Sequence, residues 1–420
     1  MAFLGMRGTG DYSVPDQRPK NYRETILMLY PNGTAPLTAM LSKLPSEGTD
    51  DPEFKWFEDM LPHQAGAIAG IFIDAASTTP YVAGGVAGDV LYIQVTEATA
   101  SEFRVGHQAL IRDTADSLQD VNAKTVSVVK NGATSIIGCQ LLENAKTGTA
   151  ACDRLLIIGN INAEGAGVPD AISYDPIVQF NVTQIFRTPL EITRTARKTR
   201  IRTDDAYREL KRKALEMHSI EMEKAFLFGV RTERVGANGK PERTTGGLVQ
   251  AIRQFGTNAD YTTDPTTVGK DWVVGGKKWL NGLLEQVFRY GKTEKLAFCG
   301  SGALLGMNEL AEAFGDIQIN VKQVDFGIKV TEWVTPFGTL YMKTHPLFSY
   351  EPTNRYTMML FEPQGLKYRY IDDTTFFSDD SKHGHARRDG VKEEFLTEAG
   401  LEYHFPIGWG LLEGIGKDHP

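Results

Sequence analysis

The longest helical signal in the chain lies between Asp204 and Gly229. Tyr207, Leu210, Ala214, Met217, Ala225 and Phe228 fall on one stripe at helical spacing, with Asp204 and Asp205 suited to the start and Gly229 to the stop. At a rise of ~1.5 Å per residue the spacing predicts a rod of roughly 40 Å, a beam across a domain. Residues 86 to 162 carry a different period. Val90 to Val95, Ala109 to Arg112, Lys124 to Lys130 and Leu155 to Ile158 are short strand-like runs separated by small turn residues, Asn131-Gly132 among them. That spacing predicts a small antiparallel sandwich or barrel. Its flanks look like the two sides of one long excursion, so the β module reads as an insertion. Ahead of it, Phe54-Lys55-Trp56-Phe57-Glu58 is strand-like and loaded with aromatic surface.

Beyond Thr245-Gly246-Gly247, helices and strands alternate. Lys277 to Tyr290 predicts a helix, Leu296 to Cys299 a buried strand, and Ser301 to Glu312 a further helix with Ser301 as candidate cap. Lys329 to Val334 and Thr339 to Lys343 read as a strand pair turned at Pro336-Phe337-Gly338. Thr357 to Phe361, Leu366 to Tyr370 and Leu401 to Phe405 are strand-like, with a polar, His-rich turn before the last. The amino-terminal stretch is different. Arg7, Gly8, Gly10, Asp11, Pro15, Arg18 and Pro19 give an extended start, then Tyr22 to Tyr30 predicts a short amphipathic helix stopped by Pro31-Asn32-Gly33, and Leu37 to Leu44 a second. These helices have apolar faces with too little sequence nearby to bury them, so the arm is expected to lie on another part of the protein or on a neighbouring subunit. No repeat of fixed period is present.

A length of 420 residues suits two or three lobes on one continuous path. With 41% hydrophobic and 23% charged residues, the chain falls among ordinary globular proteins and not among disordered ones. The formal net charge of -8 means that contact with a polyanion must be local, through basic residues gathered on one face. Cys139, Cys152 and Cys299 are sparse and form no CxxC pair, which argues against a disulfide-stapled secreted module and fits a reducing cytoplasm. No apolar run is long enough to span a bilayer, and the opening Met-Ala-Phe-Leu-Gly-Met-Arg-Gly lacks a signal-peptide layout, so synthesis and folding in the cytosol are expected.

Catalytic templates fit poorly. Gly291-Lys292-Thr293 resembles the end of a phosphate-binding loop, but the motif's first glycine would fall on Gln286, and the segment follows a helix where a strand is required. A helix-ending turn is the simpler reading. Cys299-Gly300-Ser301-Gly302-Ala303 approximates a nucleophile elbow, yet Cys299 and Ala303 stand where that motif has glycines. His383, His385, Asp379 and Asp380 form a polar turn more simply than a metal site. Cys139 and Cys152 read as buried apolar thiols, the other reading being a meeting across a hairpin. No catalytic, cofactor or metal site is therefore expected, and no cofactor.

One cluster stands out. Arg187, Arg194, Arg197, Lys198, Arg200, Arg202, Arg208, Lys211, Arg212 and Lys213 are ten bases against four acids, Glu191, Asp204, Asp205 and Glu209, within 27 residues. Two readings compete: a solvated, salt-bridged helix entrance, and contact with a phosphate backbone. Nothing nearby supplies base readout, so any such binding should be sequence-independent and salt-sensitive.

The order of parts resembles the major capsid proteins of tailed bacteriophages, whose fold is shared with herpesviruses and encapsulins. Arg18-Pro19-Lys20-Asn21-Tyr22-Arg23-Glu24, Leu29-Tyr30-Pro31-Asn32-Gly33 and Ala35-Pro36-Leu37-Thr38 resemble the amino-terminal arm of a podophage and siphophage subgroup. Asp51-Pro52-Glu53-Phe54-Lys55-Trp56 is similar to the start of its extended loop. Arg243-Thr244-Thr245-Gly246-Gly247-Leu248 and Gly400-Leu401-Glu402-Tyr403-His404-Phe405-Pro406 resemble segments after the long helix and near the carboxyl end.

The resemblance covers nearly the whole chain and implies an α+β phage major-capsid fold. Its parts would be an amino-terminal arm (1–48), an extended β loop (49–85 and 163–190) carrying an extra small antiparallel β module (86–162), a peripheral domain (191–265 and 353–420) with spine helix 204–229, and an axial domain (266–352). It also implies a virion shell of hexamers and pentamers of this one chain around double-stranded DNA, assembled in the host cytoplasm. A portal protein at one vertex and scaffolding and decoration proteins would be further partners; DNA contact would be non-specific, and no membrane or enzyme activity is implied. Tyr22, Leu29, Phe54, Trp56 and Phe57 are the expected assembly contacts, since buried aromatic area at roughly 25 cal/mol per Å² supplies several kcal/mol. Truncating residues 1–48, or Trp56→Ala, should then impair shells and spare the subunit fold. Arg194, Arg197, Lys198, Arg200 and Arg202 are the expected lumen- and DNA-facing residues. An encapsulin-like compartment, another virion component such as a decoration protein, and a hydrolase-type enzyme are the rival readings.

Overall fold

Alternating burial in Val90–Val95, with Leu91, Ile93 and Val95 inward, sets one wall of a β-barrel. The computed structural model describes residues 36–198, 206–314, 319–323, 329–378 and 390–419, divided between the unit Asp59–Ile177 and a unit made from Met1–Glu58 with Val178–Pro420. In the first, the strands run in the order Ala65–Ala67, Arg154–Asn160, His107–Arg112, Val121–Val129, Ser135–Leu141, Val90–Val95, Gly70–Phe72. Every neighbouring pair is antiparallel. The two edge strands are consecutive in the chain, parted by Ile68 and Ala69. Ile68 N–H donates to Asp153 O and Ala69 N–H to Gln94 O, each at 2.8 Å, so one kinked stave closes the sheet on itself. Closure leaves no free edge for another chain to pair with.

Ala109, Ile111, Val121, Ala123, Ile137 and Leu155 fill the barrel interior. The helix Glu97–Glu102, capped by the Thr96 side chain, adds Ala100 and Phe103 to the same core. Bulges between Thr125 and Ser127 and between Gln108 and Ala109 bend the staves. Cys139 and Cys152 are free and buried, and burial pushes the Cys139 thiol up to about 12. The barrel unit is wider than the 86–162 stretch expected for the module, because the closing stave lies at residues 65–72. The strand Ser135–Leu141 escaped the sequence pattern, since Gly138 interrupts its apolar alternation.

In the other unit the long helix is Ala206–Phe228, ~35 Å at 1.5 Å per residue. Its buried stripe is Ala214, Leu215, His218, Ser219, Met222, Glu223, Phe226 and Leu227, whereas Met217 is 51% exposed and Phe228 38%. The expected stripe is therefore corrected. Three of the eight inward positions are polar and satisfied by specific partners, which a hydrophobic period does not register. His218 Nδ1 meets Thr188 Oγ1 at 2.9 Å and Nε2 meets Thr397 Oγ1 at 2.7 Å, and burial pushes this imidazole down to about 4. The helix lies against a four-stranded sheet ordered Ser46–Gly48, Leu366–Phe377, Gly390–Tyr403, Gln184–Thr193. It ends at Gly229, where a Cβ would stand 2.4 Å from Ala225 O and 2.5 Å from Thr245 O.

A seven-stranded mixed sheet completes this unit, in the order Thr257–Asp260, Gly410–Glu413, Met358–Phe361, Glu294–Cys299, Gly338–Thr344, Lys329–Thr335, Ile319–Gln323. Its central strand Glu294–Cys299 is buried from Lys295 onward, as its apolar run predicts. Strands from 257–260, 358–361 and 410–413 join it, so the sheet draws on sequence beyond 266–352. The helix Trp272–Phe288 begins five residues before the expected Lys277. Gly275 and Gly276 look like helix breakers, but they admit the Tyr261 hydroxyl and the Trp272 ring, with a Cβ falling 2.5 Å and 2.7 Å from them. The next helix is Ser301–Phe314, which Ser301 opens from inside its first turn.

Candidate assembly surfaces and basic segment

The base of the amino-terminal arm is held by one buried carboxylate. Pro36–Leu41 is helical, and Leu37, Met40, Leu41 and Leu44 pack in a cluster with Met222 and Phe226 of the long helix. Glu223, one turn from Phe226, accepts from Leu37 N–H at 2.7 Å, Thr38 N–H at 2.7 Å, the Thr38 hydroxyl at 2.6 Å and His345 Nε2 at 2.9 Å. These are the otherwise unpaired N–H groups of a helix start, so charge and dipole agree. His345 Nδ1 accepts from Leu347 N–H at 3.2 Å, which leaves Nε2 carrying the proton that it gives to Glu223. Both side chains have zero exposure. Sequence reasoning missed this node; the signal was a Glu on the inward stripe of a helix.

The aromatic strand Glu53–Glu58 pairs with Ile177–Val182 and alternates strictly between exposed and buried. Phe54 and Trp56 point into the chain's own core. Trp56 meets Tyr403 edge-on at 5.2 Å and its Nε1–H donates to Glu58 Oε1 at 3.0 Å. Phe54 packs over Gly400, whose absent Cβ would lie 2.8 Å from its ring. Phe54 and Trp56, expected as assembly contacts, are instead internal anchors buried in the core, and the expectation for Trp56→Ala changes with them. Phe57, by contrast, is 70% exposed. On the pairing strand, Val178 is half exposed and the Arg231 guanidinium covers the Phe180 ring at 3.8 Å. Tyr22 and Leu29 lie outside the described residues, as do the helix expected at 22–30 and the His383 turn.

The basic segment is partly ion-paired and includes an exposed turn. Arg187 binds Glu394, Lys213 binds Glu209 at 2.8 Å, and Arg212 faces Glu216 at 4.0 Å, so Glu394 and Glu216 from beyond the window offset part of its charge. Lys211 rests its ammonium over Phe376 at 3.5 Å. Arg194, Arg197 and Lys198 stand on the exposed turn Arg194–Lys198, started by Thr193, whose hydroxyl accepts from Ala196 N–H. The Arg197 guanidinium lies 4.9 Å from the Tyr207 ring. Arg200 and Arg202 lie outside the described residues.

Two chemistry-like motifs have structural employment. Gly291 takes φ +80 and closes the turn after Trp272–Phe288, while Lys292 N–H donates to Glu362 Oε1 at 2.9 Å. The Ser301 N–H donates to Ser349 Oγ at 3.2 Å. Lys295, also buried, gives its ammonium to Tyr290 O, Gly408 O and Glu362 Oε1, and burial lowers its pKa. Among the described residues no group of three or more His, Cys, Asp or Glu side chains is arranged to hold a metal ion, and no helix is long and apolar enough to cross a membrane.

The polar nodes of this chain tie its own segments together, and its match to a family model along residues 7–416 puts it in the class of phage capsid proteins. It belongs to the SU10 major capsid protein family, whose model matches residues 7–416. It is 26% identical to the major capsid protein of Pseudomonas phage PaMx41 over 420 residues, covering 95% of this chain and 93% of that one. Among solved structures it is similar to chains of Mycobacterium phage Bobi (TM-score 0.42, 9% identity, 89% of each chain) and Mycobacterium phage Adephagia (TM-score 0.41, 10% identity, 97% of this chain and 98% of that one). The holo-SrpI encapsulin complex of Synechococcus elongatus PCC 7942 gives 0.39 at 11% identity over 60% of this chain and 80% of its own. The family match makes the protein a phage major capsid protein, a component of the virion shell, and leaves the encapsulin reading with weaker support.

Proposed function

We propose that this chain builds a closed icosahedral shell of hexamers and pentamers around the double-stranded DNA of a tailed phage, assembled in the host cytoplasm. The observation that carries the reading is the family match along residues 7–416. A closed shell needs one subunit to meet copies of itself through head-to-tail surfaces in five-fold and six-fold settings. In this reading residues 266–352 supply the axial contacts, 191–265 and 353–420 the peripheral ones, and the loop segments 49–85 and 163–190 reach a neighbour, with Phe57 as their outward aromatic. Tyr22 and Leu29 of the arm would do the same. Arg194, Arg197 and Lys198, with Arg200 and Arg202, would face the lumen and contact DNA phosphates without sequence preference. A portal at one vertex, and scaffolding and decoration proteins, are the further partners of such a shell.

Deleting residues 1–34 tests the arm. The expected outcome is a subunit that melts as the full chain does but forms no closed shells. The cut stops short of 48 because Leu37, Met40, Leu41 and Leu44 belong to the core, and a truncation through 48 would also unfold the subunit. Closed shells of normal size from the shortened chain would contradict the proposal.

A further inference from the structure

Two helices carry matching outer ridges. Trp272–Phe288 and Ser301–Phe314 pack their inner faces into one core with the strands Glu294–Cys299 and Gly338–Thr344, and the Trp272 Nε1–H donates to Gly306 O at 2.8 Å. Both outer faces are therefore fixed in place. On the first helix Val274, Lys278 and Gly282 succeed one another at four-residue spacing, so they share one face, and all three are exposed, Val274 by 71%. On the second, Leu305, Glu309 and Ala313 do the same, with Leu305 54% exposed. Within the subunit Lys278 and Glu309 make no ion pair among the described residues. Valine and glycine are also poor choices for an exposed helix face. Gly275 and Gly276, earlier in the same helix, are explained by the groups packed against them, but a Cβ at Gly282 would meet nothing within 4 Å.

We infer that these two ridges meet between copies: Val274, Lys278 and Gly282 of one copy lie along Leu305, Glu309 and Ala313 of a second, with Lys278 against Glu309. The inference rests on the shell reading above and names a pair of faces through which two copies of this chain touch. Both ridges are centred on their charge, so Lys278 meets Glu309 whether the helices run parallel or antiparallel. The ends then pair apolar with apolar and small with small, or each apolar side chain with the small residue that makes room for it. Burial takes Val274 and Leu305 out of water, the ion pair fixes the register and rejects like charge, and ridges at four-residue spacing are those by which helices pack most often. The charge of each helix supports the same match. Ser301–Phe314 carries Glu309 and Glu312 and no base, whereas the one acid of Trp272–Phe288, Glu285, is held by Arg289 at 2.9 Å and does not compete for Lys278. Because the two ridges are different surfaces of one chain, the contact is head-to-tail, the kind that a ring of copies requires.

Charge exchange in the full chain tests the contact. Lys278→Glu and Glu309→Lys each set like charges face to face, and each should lower the yield of closed particles at least about tenfold. The double variant K278E/E309K restores opposite charges in reversed order and should recover most of that yield. The melting temperature of the dissociated subunit should stay the same in all three, because neither side chain is ion-paired within it. Single variants that assemble like the wild type, or a double variant no better than the singles, would overturn the inference. Gly282→Leu gives a second reading. The larger side chain has room in the free subunit and suits a helix better than glycine, so the subunit should melt higher while particle yield falls. A stabilised subunit with undiminished yield would also overturn the inference. A wild-type chain that never closes into particles would instead remove the shell reading on which the contact rests.

Discussion

Glu223→Gln isolates the buried carboxylate that holds the base of the arm. The wild-type side chain accepts four hydrogen bonds, two at each oxygen, from Leu37 N–H and His345 Nε2–H on one side and from Thr38 N–H and hydroxyl on the other. A Gln amide of the same shape must turn an NH2 toward one of these donor pairs. The Leu37 side is the more costly, because His345 Nδ1 is already committed to Leu347 N–H and the ring cannot reverse its tautomer without stranding that donor. The amide should therefore face Thr38, whose hydroxyl can rotate to accept while its N–H cannot. One charge-assisted bond is lost and one buried N–H is left unpaired, at about 3 kcal/mol in all. For a unit of this size that corresponds to roughly 5 °C in the melting temperature of the dissociated subunit. Thr38→Val, which removes only the hydroxyl, should cost about 1 kcal/mol. Calorimetry of the two variants checks the order. A Glu223→Gln melt within a degree of wild type would mean that the four contacts do not hold the arm base.

Trp56→Ala should now destabilise the subunit by about 3–5 kcal/mol in a denaturant titration, while Phe57→Ala should leave that titration unchanged and lower particle yield. His218 is neutral in the folded chain down to about 4, against 6.5 when unfolded. Above pH 6.5 both states are neutral and the group contributes nothing; between 6.5 and 4 the unfolded chain binds a proton that the folded one refuses, so stability falls by up to roughly 3 kcal/mol as pH drops. His218→Gln should flatten that part of the subunit's stability-pH curve, and an unaltered slope would show that other groups set it. Replacing Arg194, Arg197 and Lys198 by Gln should weaken retention of DNA in filled particles, read by nuclease release on heating, and leave empty shells intact; equal damage to empty shells would mean that this turn is structural.

Local signals served well where an element is decided locally. Gly229 ends the long helix as expected, the apolar run at 296–299 is the buried centre of a sheet, and four strand-like runs between 90 and 158 are staves of the barrel. The failures share a cause in long-range contact. Which face of the long helix turns inward depends on Thr188, Thr397, Leu37 and His345, none of them near in sequence to His218 or Glu223. Phe54 and Trp56 look like surface aromatics until Gly400 and Tyr403 arrive to cover them. Barrel closure rests on Ile68 donating to the carbonyl of Asp153, just ahead of the strand Arg154–Asn160, and Ala69 to that of Gln94 within Val90–Val95, a relation that no period along the chain records.

The central claim is that this chain acts collectively, through copies of itself. Electron microscopy of the full chain expressed and purified alone, over a range of concentration and salt, tests it most directly. Closed, regular shells are expected, and fewer of them when Phe57 is replaced by Ala. A protein that stays monomeric at every concentration, with Phe57 protected from solvent in the free subunit, would contradict it.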